Sequence, residues 1–147
     1  MILVAATALL LLGMSTAIHY ETLSGLYRWL PDLRIPSRTK LLVVIFGAFI
    51  AHALEIAVYG LTFYVMVTDH GAGGLTAAHN VSLAVYMYFS AETYTSLGFG
   101  DVTPDGPVRL LVGAEALNGL LLIGWSASFL CISMERFWAA PNNRELS

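Results

Sequence analysis

One stretch of this chain, residues 92–104, places glycines and polar residues between two long apolar runs. It reads Glu-Thr-Tyr-Thr-Ser-Leu-Gly-Phe-Gly-Asp-Val-Thr-Pro, with Gly98 and Gly100 one residue apart. Irregular backbone at membrane depth is tolerated only where it is buried in protein or lines water, because lipid cannot satisfy its N–H and C=O groups. If the flanking runs cross a membrane, this stretch therefore predicts a pore.

The composition indicates an integral membrane protein. Hydrophobic residues make up 57% of the chain and charged residues only 12%, which is roughly half the charged fraction of a soluble domain. The net charge of −3 offers no basic surface for nucleic acid. Cys131 is the only cysteine, which excludes an intrachain disulfide and a cysteine metal cluster.

Three apolar runs are candidates for membrane-spanning helices. Residues 41–67 and 107–134 both exceed the roughly 20 residues that a span needs, and Pro107 suits a first helical turn. Residues 1–18 are near the short limit. We expect a transmembrane helix there rather than a signal peptide, because a positive n-region and a cleavage site are missing.

Two shorter segments join these runs. Residues 19–40 carry charged residues and prolines, with apolar residues at spacings of three and four before Pro31. This pattern predicts a short amphipathic helix in the cytoplasmic membrane interface, followed by a linker. Residues 68–80 are rich in glycine and are predicted to form a loop.

The segment before the glycines is helical but short. Residues 81–95 are apolar and aromatic, and their length favours a re-entrant helix over a spanning one. Residues 96–106 then form an irregular stretch. Together they predict a helix that enters the membrane, stops, and is followed by the Gly-rich strand.

Basic residues predict the orientation. Six of the seven fall at one end of the spanning helices, which should be the cytoplasmic end. Residues 137–147 would then be a cytoplasmic tail, and we expect no soluble ligand domain. The six basic residues are Arg28, Arg34, Arg38, Lys40, Arg136 and Arg144.

Alternating glycines suit a strand that binds ions through its backbone. Rings of backbone carbonyls replace the water shell of the ion in potassium channels. Pointing consecutive carbonyls at one axis needs backbone angles that glycine adopts at little steric cost. Ser96 at the inner end can add a side-chain oxygen.

The residues of this strand resemble a known signature. Ser96-Leu97-Gly98-Phe99-Gly100-Asp101 resembles the Thr-Val-Gly-Tyr-Gly-Asp of potassium channels, and Glu92-Thr93-Tyr94-Thr95 is similar to the Glu-Thr-Ala-Thr of simple two-helix bacterial channels. The resemblance covers about residues 41–136.

That resemblance implies an all-α membrane fold with an outer helix, a re-entrant pore helix, a selectivity filter and an inner helix. It implies a homotetramer in the bacterial inner membrane, because one chain supplies a quarter of the filter. It also implies potassium ions in the filter and no other cofactor. The filter would be Ser96, Leu97, Gly98, Phe99 and Gly100, with the first four as ion ligands.

Departures from the signature concern filter support. Ser96 stands where Thr is commonest, and Phe99 stands where Tyr is commonest. Phe99 lacks the hydroxyl that would bond the pore helix, so we expect it to pack against Phe89 and Tyr88. Those two residues replace a pair of tryptophans in the bacterial relatives.

Glu92 and Asp101 are carboxylates nine residues apart. From their residue types alone, they could act as an acid–base pair in hydrolysis. In similar channels these positions meet behind the filter and share a proton. Two carboxylates so close cannot easily both ionise, so we expect a protonated Glu92 to donate to Asp101 and to bias filter inactivation.

The inner helix has small and polar positions with two interpretations each. Gly119 aligns with the gating hinge of the family or serves a close helix contact. Glu115 is either a pH sensor or a buried, hydrogen-bonded carboxyl without a sensing role. Beyond the hinge, Leu120, Ile123 and Ala127 should line the cavity below the filter.

The outer helix carries His52 and Glu55, three residues apart and so on one face. They are either a proton-sensitive or cofactor-touching pair, or a hydrogen-bonded pair that joins this helix to its neighbours.

Passive potassium conduction is the function that these features favour. The alternatives are a less selective monovalent cation channel and a non-conducting membrane scaffold in which the first two helices bind a partner. An enzyme is the weakest alternative, since no nucleophile–base set or metal set converges. Arginine at every third position, the mark of a voltage sensor, is missing from the sequence.

Overall fold

Three long helices and one short helix carry most of the chain in a computed structural model, which describes residues 1–77 and 82–138. Helices α1, α2 and α4 are long and apolar enough to cross a membrane, so the chain is a multi-pass, all-α membrane protein. The helices are α1 Ile2–Trp29, α2 Ser37–Thr68, α3 Leu83–Tyr94 and α4 Arg109–Trp138.

The two spans predicted from long apolar runs agree with α2 and α4. Pro36 stands directly before α2, where its fixed backbone angle and missing N–H cost nothing. Pro107 lies in a 3-10 turn, Gly106–Val108, that leads into α4. The short helix α3 has 12 residues and is about 18 Å long, too short for a span, as predicted.

The first helix is continuous, so the prediction of a separate amphipathic helix within residues 19–40 is wrong. No proline interrupts the chain before Pro31. His19 marks the start of the polar segment in the sequence, but it is fully buried and hydrogen-bonded to α2. A polar side chain with a partner inside the protein does not force the helix out of the membrane.

Two short strands were also not predicted. β1 (Gly74–Ala77) and β2 (Val102–Asp105) pair antiparallel, within segments that the sequence indicated to be a loop and an irregular stretch. Beside the strands, the Val108 N–H donates to the Ala72 carbonyl at 2.8 Å. The pair joins the end of α2 to the start of α4, and it therefore fixes the Asp101 end of the Gly-rich strand.

Helix α3 lies between α2 and α4, and α1 packs on both of those long helices. Gly60 lets α2 approach α3, because a Cβ there would lie 3.2 Å from the Met87 Cα. The rings of Phe63 and Phe89 meet edge to face with centroids 5.4 Å apart. The buried core thus occupies the half of the bundle that also holds the strands.

The opposite end of the bundle gathers basic residues. The Arg136 guanidinium lies 4.7 Å from the Tyr27 ring centroid, and the Lys40 Nζ lies 5.4 Å from that of Phe137. The end of α1, the start of α2 and the end of α4 therefore meet. Most of the predicted tail, including Arg144, lies outside the described residues.

Gly73→Ala should unfold the strand pair, whereas Gly71→Ala should not. Gly73 has φ +117°, and a Cβ there would lie 2.0 Å from the Asp105 carbonyl oxygen. At Gly71, which has φ +56°, no heavy atom lies within 4 Å of an added Cβ. The only cost there is that of an alanine in the left-handed conformation, about 1–2 kcal/mol. We expect Gly73→Ala to cost roughly 3 kcal/mol or more in thermal unfolding of the detergent-purified protein. Equal losses for both variants would contradict this.

Candidate functional site

Helix α3 ends in a left-handed turn at Ser96. The Leu97 N–H donates to the Glu92 carbonyl at 2.8 Å, and the Ser96 N–H donates to the Thr93 carbonyl at 2.9 Å. With φ +56° at Ser96, these bonds form a Schellman motif. Glycine usually occupies this position, and a residue with a Cβ costs about 1–2 kcal/mol there. The motif stops α3 at a fixed point, directly before the glycines.

The strand that follows alternates in the sign of φ. The angle is +56° at Ser96, +54° at Gly98 and +81° at Gly100, whereas the intervening Leu97 and Phe99 have no positive φ. In an ordinary β-strand, successive carbonyls point to opposite sides. Alternation between right- and left-handed residues turns successive peptide groups toward one side instead. Glycine adopts a positive φ at little steric cost, and it occupies two of the three left-handed positions.

The strand lies on an open face of the chain. Leu97 is 59% exposed and Phe99 is 67% exposed. No heavy atom would lie within 4 Å of a Cβ at Gly98 or Gly100. The predicted filter residues therefore form one contiguous, open strand between the end of α3 and β2.

Asp101 takes its hydrogen bond from Tyr88 rather than from Glu92. The Tyr88 hydroxyl lies 3.1 Å from both Asp101 carboxylate oxygens. Glu92 is buried, and its Oε2 has no hydrogen-bond partner within the described chain. In the described chain, Tyr88 thus takes the place of the direct Glu92–Asp101 bond that was expected from the sequence.

In the single chain the Phe89 ring packs on α2, and its packing against Phe99 stays a prediction. Its ring is buried against Phe63 of α2, whereas Phe99 stays largely exposed in the single chain. Phe89 therefore fixes α3 to α2, because its position on the helix points it away from the open face.

A mainly apolar groove of about 500 Å³ lies between α2 and α4, beside the end of α3. Thr95 lines it together with Ile123 and Ala127, two of the three residues predicted to line a cavity. Leu120 is exposed on the same helix, three residues before Ile123. Ile123 and Ala127 thus share a groove with Thr95, directly before the Gly-rich strand.

Gly119 serves a close contact. A Cβ there would lie 2.1 Å from the Tyr94 carbonyl oxygen and 3.0 Å from the Tyr94 ring. The helix α4 can pass the end of α3 only because residue 119 has no side chain. This is the second of the two interpretations given above; the hinge role stays a prediction.

Glu115 is fully buried and hydrogen-bonded to Ser90. The Ser90 hydroxyl also lies 2.8 Å from the Ile56 carbonyl, so its single proton faces two acceptors. Both contacts are satisfied if a neutral Glu115 donates to Ser90 while Ser90 donates to Ile56. This agrees with the interpretation of Glu115 as a buried, hydrogen-bonded carboxyl, and pH sensing by Glu115 stays a prediction.

His52 and Glu55 meet, and they gather residues that the sequence did not connect. Glu55 Oε2 lies 3.3 Å from His52 Nδ1, and Glu55 Oε1 lies 3.0 Å from His19 Nδ1. The sequence placed His19 at the start of a short interfacial amphipathic helix. His19 instead lies on the buried face of α1. The residues of that face recur at spacings of three and four: Val4, Ala8, Leu11, Ser15, His19 and Leu23.

A comparison with protein families finds one match. A family described as "Ion channel" matches residues 39–136, about two thirds of the chain. The matched range begins in α2 and ends in α4, so α1 lies outside it. No curated protein and no solved structure matches.

Gly119→Ala should destabilise the resting protein. Overpacking against the Tyr94 carbonyl should cost about 1–3 kcal/mol, read as a lower melting temperature in detergent. Gly124→Ala is the matched control in the same helix, because nothing lies within 4 Å of its Cβ. Unchanged stability of Gly119→Ala would instead favour a hinge that acts only during opening.

Proposed function

This chain belongs to the ion channel family, and on that premise we propose that it conducts potassium ions passively through a pore formed by four copies. The ions bind backbone carbonyls of Ser96, Leu97, Gly98 and Phe99, and Gly100 completes the filter. No residue is assigned a catalytic role.

The alternation in φ across residues 96–100 is the observation that carries this proposal. An ion that leaves water needs oxygen ligands on every side, and carbonyl rings supply them in potassium channels. A strand whose carbonyls turn to one side provides a stack of such ligands from each chain. Side chains then point away from the ion, which is consistent with Leu97 and Phe99 being apolar.

The exposure of the strand supports assembly of several copies. Irregular backbone cannot face lipid, because its polar groups would lack partners. In one chain, the strand around Leu97 and Phe99 is open. Further copies around a shared axis cover this face and leave water only along the axis, as the resemblance to tetrameric channels implies.

The direction of α3 supports a cation as the transported species. The C-terminal end of α3 reaches the groove at Tyr94 and Thr95. A helix C-terminus carries about half a negative elementary charge. Four such ends around the axis attract cations to the base of the filter and repel anions.

The distribution of basic residues supports the orientation. Lys40 and Arg136 lie at the end of the bundle far from the strands, so this end faces the cytoplasm. The Asp101 end of the filter then faces outward, in the bacterial inner membrane. Leu120, Ile123 and Ala127 line the inner cavity, where an apolar ring can close by dewetting.

Potassium flux in liposomes tests the function. We expect the purified chain to carry potassium current blocked by barium, with a reversal potential near that of potassium in a potassium–sodium gradient. Gly98→Ala should abolish the current, because φ +54° resists a Cβ at a position where the carbonyl must keep its direction. Gly113→Ala, with nothing within 4 Å of its Cβ, is the control.

The alternatives have distinct outcomes in that experiment. Equal permeability to sodium and potassium would identify a less selective cation channel. A folded chain without flux at any pH would identify a scaffold. The scaffold is not favoured, because α1 packs on α2 and α4 of its own chain.

Tyr88→Phe should weaken the conducting state of the filter. The variant removes the hydroxyl that donates to the Asp101 carboxylate. We expect single-channel open probability to fall, because Asp101 loses the side-chain contact that holds it on α3. Tyr64→Phe, on the α2 side, is the control. An unchanged open probability would show that this bond does not hold the filter, and Glu92→Ala would then test the carboxyl behind it.

A further inference from the structure

Five polar side chains meet where the four helices come together, next to the base of the filter. This four-helix cluster consists of His19 from α1, His52 and Glu55 from α2, Tyr94 from α3 and Ser126 from α4. His19, Glu55 and Tyr94 are fully buried. Ionisable groups at membrane depth are costly and mark functional sites by default.

Glu55 is the centre of one side of the cluster. His19 Nδ1 lies 3.0 Å from its Oε1 and His52 Nδ1 lies 3.3 Å from its Oε2. The Tyr94 hydroxyl donates to the same Oε2 and lies 2.9 Å from His52 Nδ1. Both imidazoles therefore present the same ring nitrogen to one carboxylate.

Ser126 is the centre of the other side. Its Oγ lies 3.1 Å from His52 Nε2 and 3.2 Å from His19 Nε2. A serine hydroxyl has one proton to donate and can accept two hydrogen bonds. Both imidazoles thus share a single hydroxyl through their second nitrogen.

Several proton arrangements satisfy the contacts of the cluster. If both Nδ1 atoms carry protons for Glu55, Ser126 can donate to only one of the two Nε2 atoms, and an extra proton on one imidazole completes the network. A neutral arrangement also completes it, with the His52 proton on Nε2 and a protonated Glu55 donating to His52 Nδ1. A metal ion bound to both Nδ1 atoms is a further way to satisfy every contact.

A metal ion also lets both histidines form their hydrogen bonds on the Ser126 side of the cluster. With the metal at Nδ1, both rings carry their protons on Nε2, and both donate to Ser126 Oγ. Histidines that bind a metal almost always donate their other ring N–H to such an acceptor. The hydroxyl proton of Ser126 is then free for a further partner.

We propose that His19, His52 and Glu55 form a binding site for a divalent transition metal of the zinc type. Imidazole and carboxylate are ligands that Zn²⁺ accepts in tetrahedral sites. The three ligand atoms all lie within 4.8 Å of one another. At Zn–N distances of about 2.0–2.1 Å, tetrahedral ligands lie roughly 3.4 Å apart, a closure that side-chain rotation supplies.

The groove between α2 and α4 gives the metal a route to this site. His52, Tyr94 and Ser126 all line the groove, and the His52 side chain is 17% exposed. The Tyr94 hydroxyl or a water molecule from the groove takes the fourth position. The site joins α1 to the pore helices, and Tyr94 lies two residues before Ser96, the first residue of the filter.

Metal binding to the purified full-length chain, stripped with a chelator, tests the proposal without reference to ion flux. We expect Zn²⁺ titration by calorimetry to give one ion per chain. We expect Co²⁺ to give the visible absorption of a tetrahedral site, lost on adding Zn²⁺. His19→Gln and Glu55→Gln should abolish both signals, whereas His70→Gln, an exposed histidine outside the cluster, should leave them unchanged.

Ser126→Ala separates a metal site from a merely folded cluster, because it keeps all three ligands. Loss of the acceptor behind both histidines should weaken Zn²⁺ binding about 10–100-fold. Ser128→Ala is the control, since that hydroxyl bonds only the Gly124 carbonyl in the described chain. No binding by the wild-type chain, or equal binding by Ser126→Ala and wild type, would overturn the proposal. The cluster would then be a hydrogen-bonded network without a metal.

Discussion

The need to satisfy backbone polar groups inside a membrane governs this structure. Residues 96–100 have no regular partners, so the rest of the chain must fix them in position and shield them from lipid. The Schellman motif at the end of α3 fixes the Ser96 end of the strand, and the β1–β2 pair fixes the Asp101 end. The long helices α2 and α4 hold these two anchors at a constant separation.

Helices in lipid are not driven together by the hydrophobic effect, so packing must come from close approach and polar contacts. This chain uses both. Gly60 and Gly119 bring α2 and α4 against the backbone of α3. The Asn118 amide donates to Ser15, and His19 bonds Glu55, which together hold α1 on the same unit. Such bonds contribute about 0.6 kcal/mol each on average, so several are needed.

Run length and helix-breaking residues were enough to predict α2, α3 and α4, because a bilayer requires a minimum length and prolines begin the turns. The Gly-rich strand was also predictable, since alternating glycines in an apolar setting have few uses. The continuous α1 was not predictable from local charge, because His19 is stabilised by Glu55, a residue 36 positions away. The strand pair and the Tyr88–Asp101 bond likewise depend on distant partners and on the departures from the family signature.

The burial of His19 has a consequence for biogenesis. During synthesis, α1 reaches the membrane before α2 exists, because domains are made from the N-terminus at about 5–20 residues per second. A polar ring facing lipid costs free energy until its partner arrives. Exposure of Glu55 on α2 to lipid also costs free energy. Insertion of α1 and α2 together, as an antiparallel hairpin, avoids this cost. The His19–Glu55 contact then forms before either helix is released into lipid.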